Sequence, residues 1–277
     1  MKKFKVGLQL YSVRGDMEKD MEQTLKKVKE IGYDYVEFAG YFGKSAEEVR
    51  ALLDKYQLEC ISVHQTYQVF LDNEKDNIDY LKTIGAKYCA VPWMGREKHA
   101  GQGQFEKTVE EFLQVGKALS AGGIRLLYHN HDFEFEKYEG KYLLDWLYES
   151  VPADILETEL DTCWVKYAGE DPTAYLRKYT GRSPIVHLKD FVCKRLNAGA
   201  AYALIDEEGN AKKQPTREEN GFEFRPVGSG MQDFPAILAA AEDAGTEYVI
   251  VEQDESPTMP PMESAAASRE YLKSLGL

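Results

Sequence analysis

Short apolar runs alternate with helix-period stretches from one end of this sequence to the other, and that alternation restricts the fold more than any other feature. Eight runs read as strands: Phe4–Leu10, Tyr35–Phe38, Glu59–His64, Tyr88–Pro92, Arg125–Asn130, Ile155–Asp161, Ile185–Lys189 and Tyr248–Glu252. The segments between them carry helix signals. Met17, Met21, Leu25, Val28 and Ile31 recur at steps of four or three, and Gly32 follows as a stop. Ser45 and Glu48 form a capping box, and Asp171-Pro172 supplies an N-cap and a first-turn proline. Strand then helix, eight times over, is what an α/β fold of the (β/α)8 TIM barrel type requires, here as a single domain spanning residues 1–277. A doubly wound sheet rarely needs eight such units, and no G-x-G-x-x-G follows the first strand. The loops are short except for Phe191–Gly230, a long insertion after the seventh strand that reads as a lid or subunit contact.

Successive strand residues face opposite ways, so parity sorts the polar ones. In the seventh strand Val186 and Leu188 should pack on helices, which turns His187 and Lys189 inward. The same rule groups Glu252 with Ile250, Asp161 with Glu157 and Glu159, His129 with His131, and Ser62 with His64; the second strand offers Glu37. A barrel core is ordinarily apolar, and polar groups inside it must be paired or must bind something. His64, His131, Asp161, His187 and Glu252 fall at the C-terminal strand ends, where barrel active sites sit. Carboxylate, imidazole and carboxylate from Asp161, His187 and Glu252 suit one divalent ion, with Mn²⁺ preferred and Co²⁺, Zn²⁺ or Mg²⁺ open.

Composition narrows the partners. Against 47 Asp+Glu stand 34 Lys+Arg, a formal charge of −13, and the basic residues are scattered. Nucleic acid and anionic membrane surfaces are therefore not expected as partners. No stretch is long and apolar enough to span a bilayer, and the N-terminus turns polar by Gln9, so a cytoplasmic location is expected. Cys60, Cys89, Cys163 and Cys193 form no C-x-x-C pair and read as reduced, mostly buried thiols.

Five stretches together resemble the sugar phosphate isomerase/epimerase family of the xylose isomerase-like TIM barrel superfamily: Tyr128–Phe135 (YHNHDFEF), Leu160–Trp164 (LDTCW), Val186–Asp190 (VHLKD), Val227–Gly230 (VGSG) and Val251–Asp254 (VEQD). The resemblance implies one metal held by Glu, Asp, His and Glu from the fifth to eighth strands, which fall on Glu134, Asp161, His187 and Glu252. His129 stands where ketose epimerases carry their strand-five glutamate, and Glu136 competes with Glu134 for that role. The implied chemistry is proton abstraction beside a ketone, giving an enediolate held by the ion. Reprotonation that isomerises or epimerises the sugar is the expected reaction, and loss of a β-hydroxyl, as in inosose dehydratases, is the alternative.

In this scheme Glu252 and Glu134 are the acid/base pair and Lys189 and His131 assist near the oxyanion. His64, His129 and Glu37 would bind substrate, and Trp93 and Trp164 would stack on a sugar face or pack under a loop. Gly228-Ser229-Gly230 ahead of a helix is a place where barrels bind phosphate, but an unphosphorylated sugar or keto-sugar is the preferred substrate. Asp190 is expected to orient Lys189 or a ligand histidine, and Glu157 and Glu159 to pair with bases such as Arg125. A homo-oligomer is open. A three-zinc nuclease of the endonuclease IV type is opposed by the net charge, and a sugar-binding barrel without catalysis is the non-enzymatic rival.

Overall fold

The computed structural model describes residues 4–196, 217 and 219–277. Eight parallel strands close into a barrel: β1 (Lys5–Gln9), β2 (Tyr35–Phe38), β3 (Glu59–His64), β4 (Tyr88–Val91), β5 (Arg125–His129), β6 (Leu156–Asp161), β7 (Ile185–Leu188) and β8 (Tyr248–Val251). Each pairs with its neighbours in sequence, and β8 closes on β1 with Leu8 opposite Val251. The helices read from the sequence surround it, among them Met21–Ile31, Ala46–Tyr56, Phe105–Ala121 and Phe234–Ala244. Ser45 and Glu48 complete the capping box, and Gly32 ends its helix at φ 105°, a conformation open to glycine at little cost.

Parity is observed where it matters. Val186, Leu188, Val249 and Val251 join the core between strands and helices, whereas Ile61, Leu127, Ile185 and Ile250 form an apolar plug inside the barrel with Tyr88 and Tyr248. A register shift between Val36 and Glu37 carries the pairing from Cys60 to Ser62, so β3 turns Ile61 and His64 inward while Cys60 and Val63 pack outside. Gly7 makes room for the plug: a Cβ there would lie 2.5 Å from Ile250 Cδ1. Polar side chains sit above the plug, towards the C-terminal strand ends.

Five strands stop one residue short of the expected boundary, leaving Leu10, Pro92, Asn130, Lys189 and Glu252 just beyond them. Proline has no N–H to continue a ladder. After Lys189 the chain leaves the barrel, and Asp190–Val192 pairs antiparallel with Glu223–Arg225. These segments flank the long insertion; its residues 197–216 and 218 lie outside the described part. Missed from the sequence were the small hairpin Lys137–Tyr138/Lys141–Tyr142 and the short helix Gln68–Asp72.

Candidate metal centre

The ends of β5 to β8 bring four ligand atoms together. His129, Asp161, His187 and Glu252 each offer one donor, all within 4.8 Å of one another, and all four residues are buried. His129 Nε2 lies 3.4 Å from Asp161 Oδ2 and 3.5 Å from Glu252 Oε2; His187 Nδ1 lies 2.9 Å from Glu252 Oε2. Ligand bonds of about 2.1 Å in tetrahedral geometry set ligand atoms roughly 3.4 Å apart, so the His129 spacings fit a divalent ion, whereas His187 Nδ1 and Glu252 Oε2 stand at hydrogen-bond distance. Asp161 Oδ2 and both ring nitrogens of His129 are buried without a well-formed hydrogen bond, and Asp161 Oδ2 meets His129 Nε2 and Lys189 only at ion-pair distances. Asp161 is fixed by its other oxygen, which accepts from Cys163 N at 2.8 Å and caps the helix Thr162–Tyr167.

Lys189 holds the place of a cation beside this set. Its buried Nζ is 3.1 Å from Asp161 Oδ2, 2.9 Å from Glu252 Oε2 and 3.0 Å from Asp254 Oδ1. Burial works against its charge, but the three carboxylates outweigh burial and hold the ammonium protonated. Glu252 is likewise kept ionised against burial by Lys189 and His187. Burial also opposes charge on His129, yet its contacts with Asp161 and Glu252 raise it to about 9.

A second layer lies beneath. His187 Nε2 is 2.8 Å from Glu37 Oε2, which also accepts from Gln9 Nε2 at 2.8 Å, and His64 Nε2 is 2.6 Å from Glu159 Oε2. These are hydrogen-bond spacings.

A cavity of about 750 Å³ opens onto the set, lined by His64, His129, His131, Lys189, Glu252 and Asp254 in its depth. Tyr11, Arg14, Trp93, Arg217 and Glu255 also line it. The His131 ring lies between Phe133 (5.4 Å) and Trp164 (5.6 Å), and its Nδ1 has no hydrogen-bond partner. Burial, reinforced by His129 and Lys189, pushes it well below the ordinary histidine range, so it is neutral.

Several expected site residues lie elsewhere. Glu134 is fully buried: Tyr128 Oη donates to one of its oxygens at 2.6 Å and His131 N to the other at 2.7 Å. The turn Phe133–Phe135 carries it away from the four donors, and His129 stands in its place. Glu37 is fully buried beneath His187 and does not line the cavity, so it cannot touch substrate there. Trp164 is also fully buried, stacked on Phe222 and lying under Lys189, whereas Trp93 stands 55% exposed on the cavity wall.

Asp190 orients neither Lys189 nor a histidine. Its carboxylate accepts from the backbone N–H groups of Phe191, Gly228, Gly230 and Gln232, filling the cradle that the glycine loop would otherwise offer a phosphate. A Cβ on Gly230 would lie 2.3 Å from Asp190 Oδ1, so that loop is built around the carboxylate. Glu157 pairs with Arg125 as expected, but Glu159 pairs with His64. Gln9, Arg14 and Arg217 were missed; they are contributed by the end of β1, the start of the helix Arg14–Lys19 and the insertion after β7.

Among described residues no helix is long and apolar enough to cross a membrane. The chain is 26% identical to an inosose dehydratase of Clostridium perfringens (strain 13 / Type A), over 92% of this chain and 90% of that one. Its fold superposes on the crystal structure of a sugar phosphate isomerase/epimerase from Parabacteroides distasonis at TM-score 0.76 and 23% identity, covering 99% and 95% of the two chains. It also superposes on the IOLI protein with a bound zinc atom, at TM-score 0.69 and 14% identity over 98% and 97%. The family model described as xylose isomerase-like TIM barrel matches residues 25–275, and with its closed barrel the chain belongs to that family.

Proposed function

We propose that this protein is a divalent-metal-dependent enzyme acting on a keto-sugar or keto-cyclitol, removing a proton beside the carbonyl and expelling a β-hydroxyl. The observation that carries this reading is the convergence of His129, Asp161, His187 and Glu252, of which His129 and Glu252 line an open cavity. A cation held there would supply Lewis acidity, polarising a carbonyl and the adjacent C–H. The protein's own groups do the rest. Neutral His131, whose ring lines the cavity, takes the proton and returns it to the departing hydroxyl, which leaves as water. The Lys189 ammonium stabilises negative charge as it develops on oxygen. His64, held by Glu159, binds a hydroxyl, and Trp93 packs against an apolar ring face. Glu134 positions His131 through its backbone N–H rather than transferring protons itself.

Dehydration is favoured over epimerisation because Glu134 is withdrawn from the cavity, so it cannot act opposite Glu252 as the strand-five glutamate of a two-glutamate exchange. The name and broad coverage of the inosose dehydratase relatives support the same choice. Isomerisation or epimerisation is the second reading, favoured by the presence of both His131 and Glu252 on the wall. Incubating manganese-loaded protein with a keto-inositol in D₂O separates them by mass spectrometry. Loss of one water supports dehydration; deuterium uptake with no water lost supports isomerisation or epimerisation; neither outcome rejects proton-transfer chemistry on this substrate.

A further inference from the structure

Among the described residues, two sets of four donors converge in this barrel, and they share both His129 and His187. The upper set adds Asp161 and Glu252; the lower adds His64 and Glu159. His187 faces the upper set with Nδ1, 2.9 Å from Glu252, and the lower with Nε2, 3.5 Å from Glu159. The nitrogen that carries the hydrogen therefore determines where an ion can bind. We propose that Glu37 makes this choice: it is a positioning residue that holds the hydrogen on His187 Nε2 and presents Nδ1 to a cation in the upper set, at the cavity.

Glu37 lies on β2, across the barrel from β7, and is fully buried. Its Oε2 is 2.8 Å from His187 Nε2, whereas the nearest Glu159 oxygen is 3.5 Å away, so Glu37 has the better hold on that nitrogen. Gln9 Nε2 donates to the same oxygen, and Gln9 is itself fixed because its Oε1 accepts from Tyr11 N at 3.0 Å. A backbone N–H thus anchors a chain that runs through Gln9 and Glu37 to His187. The other Glu37 oxygen is buried with no hydrogen-bond partner. A group placed only for stability would be poorly served by that arrangement, whereas a carboxylate kept to orient a ligand histidine commonly strengthens metal binding 10–100-fold.

The proposal rests on the cation reading above, and its test separates the two. Metal-free protein is titrated with Co²⁺, following visible absorbance for affinity, and the melting temperature of the metal-free form is measured in parallel. Glu37→Gln keeps the side-chain shape and removes the charge. Its Co²⁺ affinity is expected to fall roughly 10–100-fold, with metal-free melting unchanged or raised. Glu37→Asp, which restores a carboxylate, is expected to bind more tightly than Glu37→Gln. An affinity in Glu37→Gln matching wild type overturns the proposal, as does a loss of affinity accompanied by an equally destabilised metal-free form. Absence of Co²⁺ binding by the wild type would reject the cation reading itself.

Discussion

Replacing Lys189 by methionine removes a buried charge while keeping most of its stem. The ammonium is 1% exposed and lies within 3.1 Å of oxygens from Asp161, Glu252 and Asp254, with its Nζ 5.1 Å from the Trp164 ring centroid. Its loss leaves three carboxylates facing one another around an apolar thioether. Removing one partner of a buried ion pair typically costs about 3–5 kcal/mol, because the remaining charge stays buried and uncompensated. At roughly 2–4 °C per kcal/mol for a chain of this size, metal-free Lys189→Met should melt about 6–20 °C below wild type.

Manganese should narrow that deficit. A cation at about 100 times its Kd adds roughly 2.7 kcal/mol to a folded state that binds it. It should add more in the variant, since Lys189 no longer competes for the Asp161 and Glu252 oxygens that would hold the ion. Thermal melts of chelator-treated protein, with and without manganese, measure both effects. Equal melting of variant and wild type without metal, or a deficit that manganese leaves unchanged, would refute the argument.

Other substitutions probe separate parts of the site. Glu134→Gln should keep Co²⁺ affinity within a few-fold of wild type, because both Glu134 oxygens are engaged by Tyr128 and His131 N rather than by the donor set; a large loss of affinity would restore Glu134 as a ligand. Trp93→Ala should raise KM with little change in kcat or in bound metal, since the ring lines only the cavity wall; steady-state kinetics on the substrate found above would show it. His99, away from the four donors, is held down to about 4 by burial. Unfolded histidine takes up a proton below 6.5 while the folded form resists to about 4, so acidification through that window should cost stability, on the order of 3 kcal/mol. His99→Phe should lose less stability than wild type between those pH values in denaturant titrations.

The barrel was legible because its signals are local and periodic. Val186/Leu188 against His187, and Val249/Val251 against Ile250 and Glu252, told inside from outside, and the same parity placed Asp161, His187 and Glu252 on one side of the sheet. What escaped depends on where a loop turns. Glu134 stands five residues after His129, yet the turn Phe133–Phe135 folds its carboxylate back beneath Tyr128, which no periodicity encodes. Asp190 fills the Gly228–Gly230 cradle from 38 and 40 residues away, so the glycines alone read as a phosphate loop. Glu37 was visible as an inward polar residue, but its depth relative to the cavity depends on how β2 and β7 face each other across the barrel.

The most direct test of the central claim is anomalous diffraction from crystals of the manganese-loaded protein, with metal content measured on the same preparation. One ion per chain is expected, with its peak bounded by His129, Asp161, His187 and Glu252. A peak elsewhere, or manganese-loaded protein that retains no metal, would contradict the account.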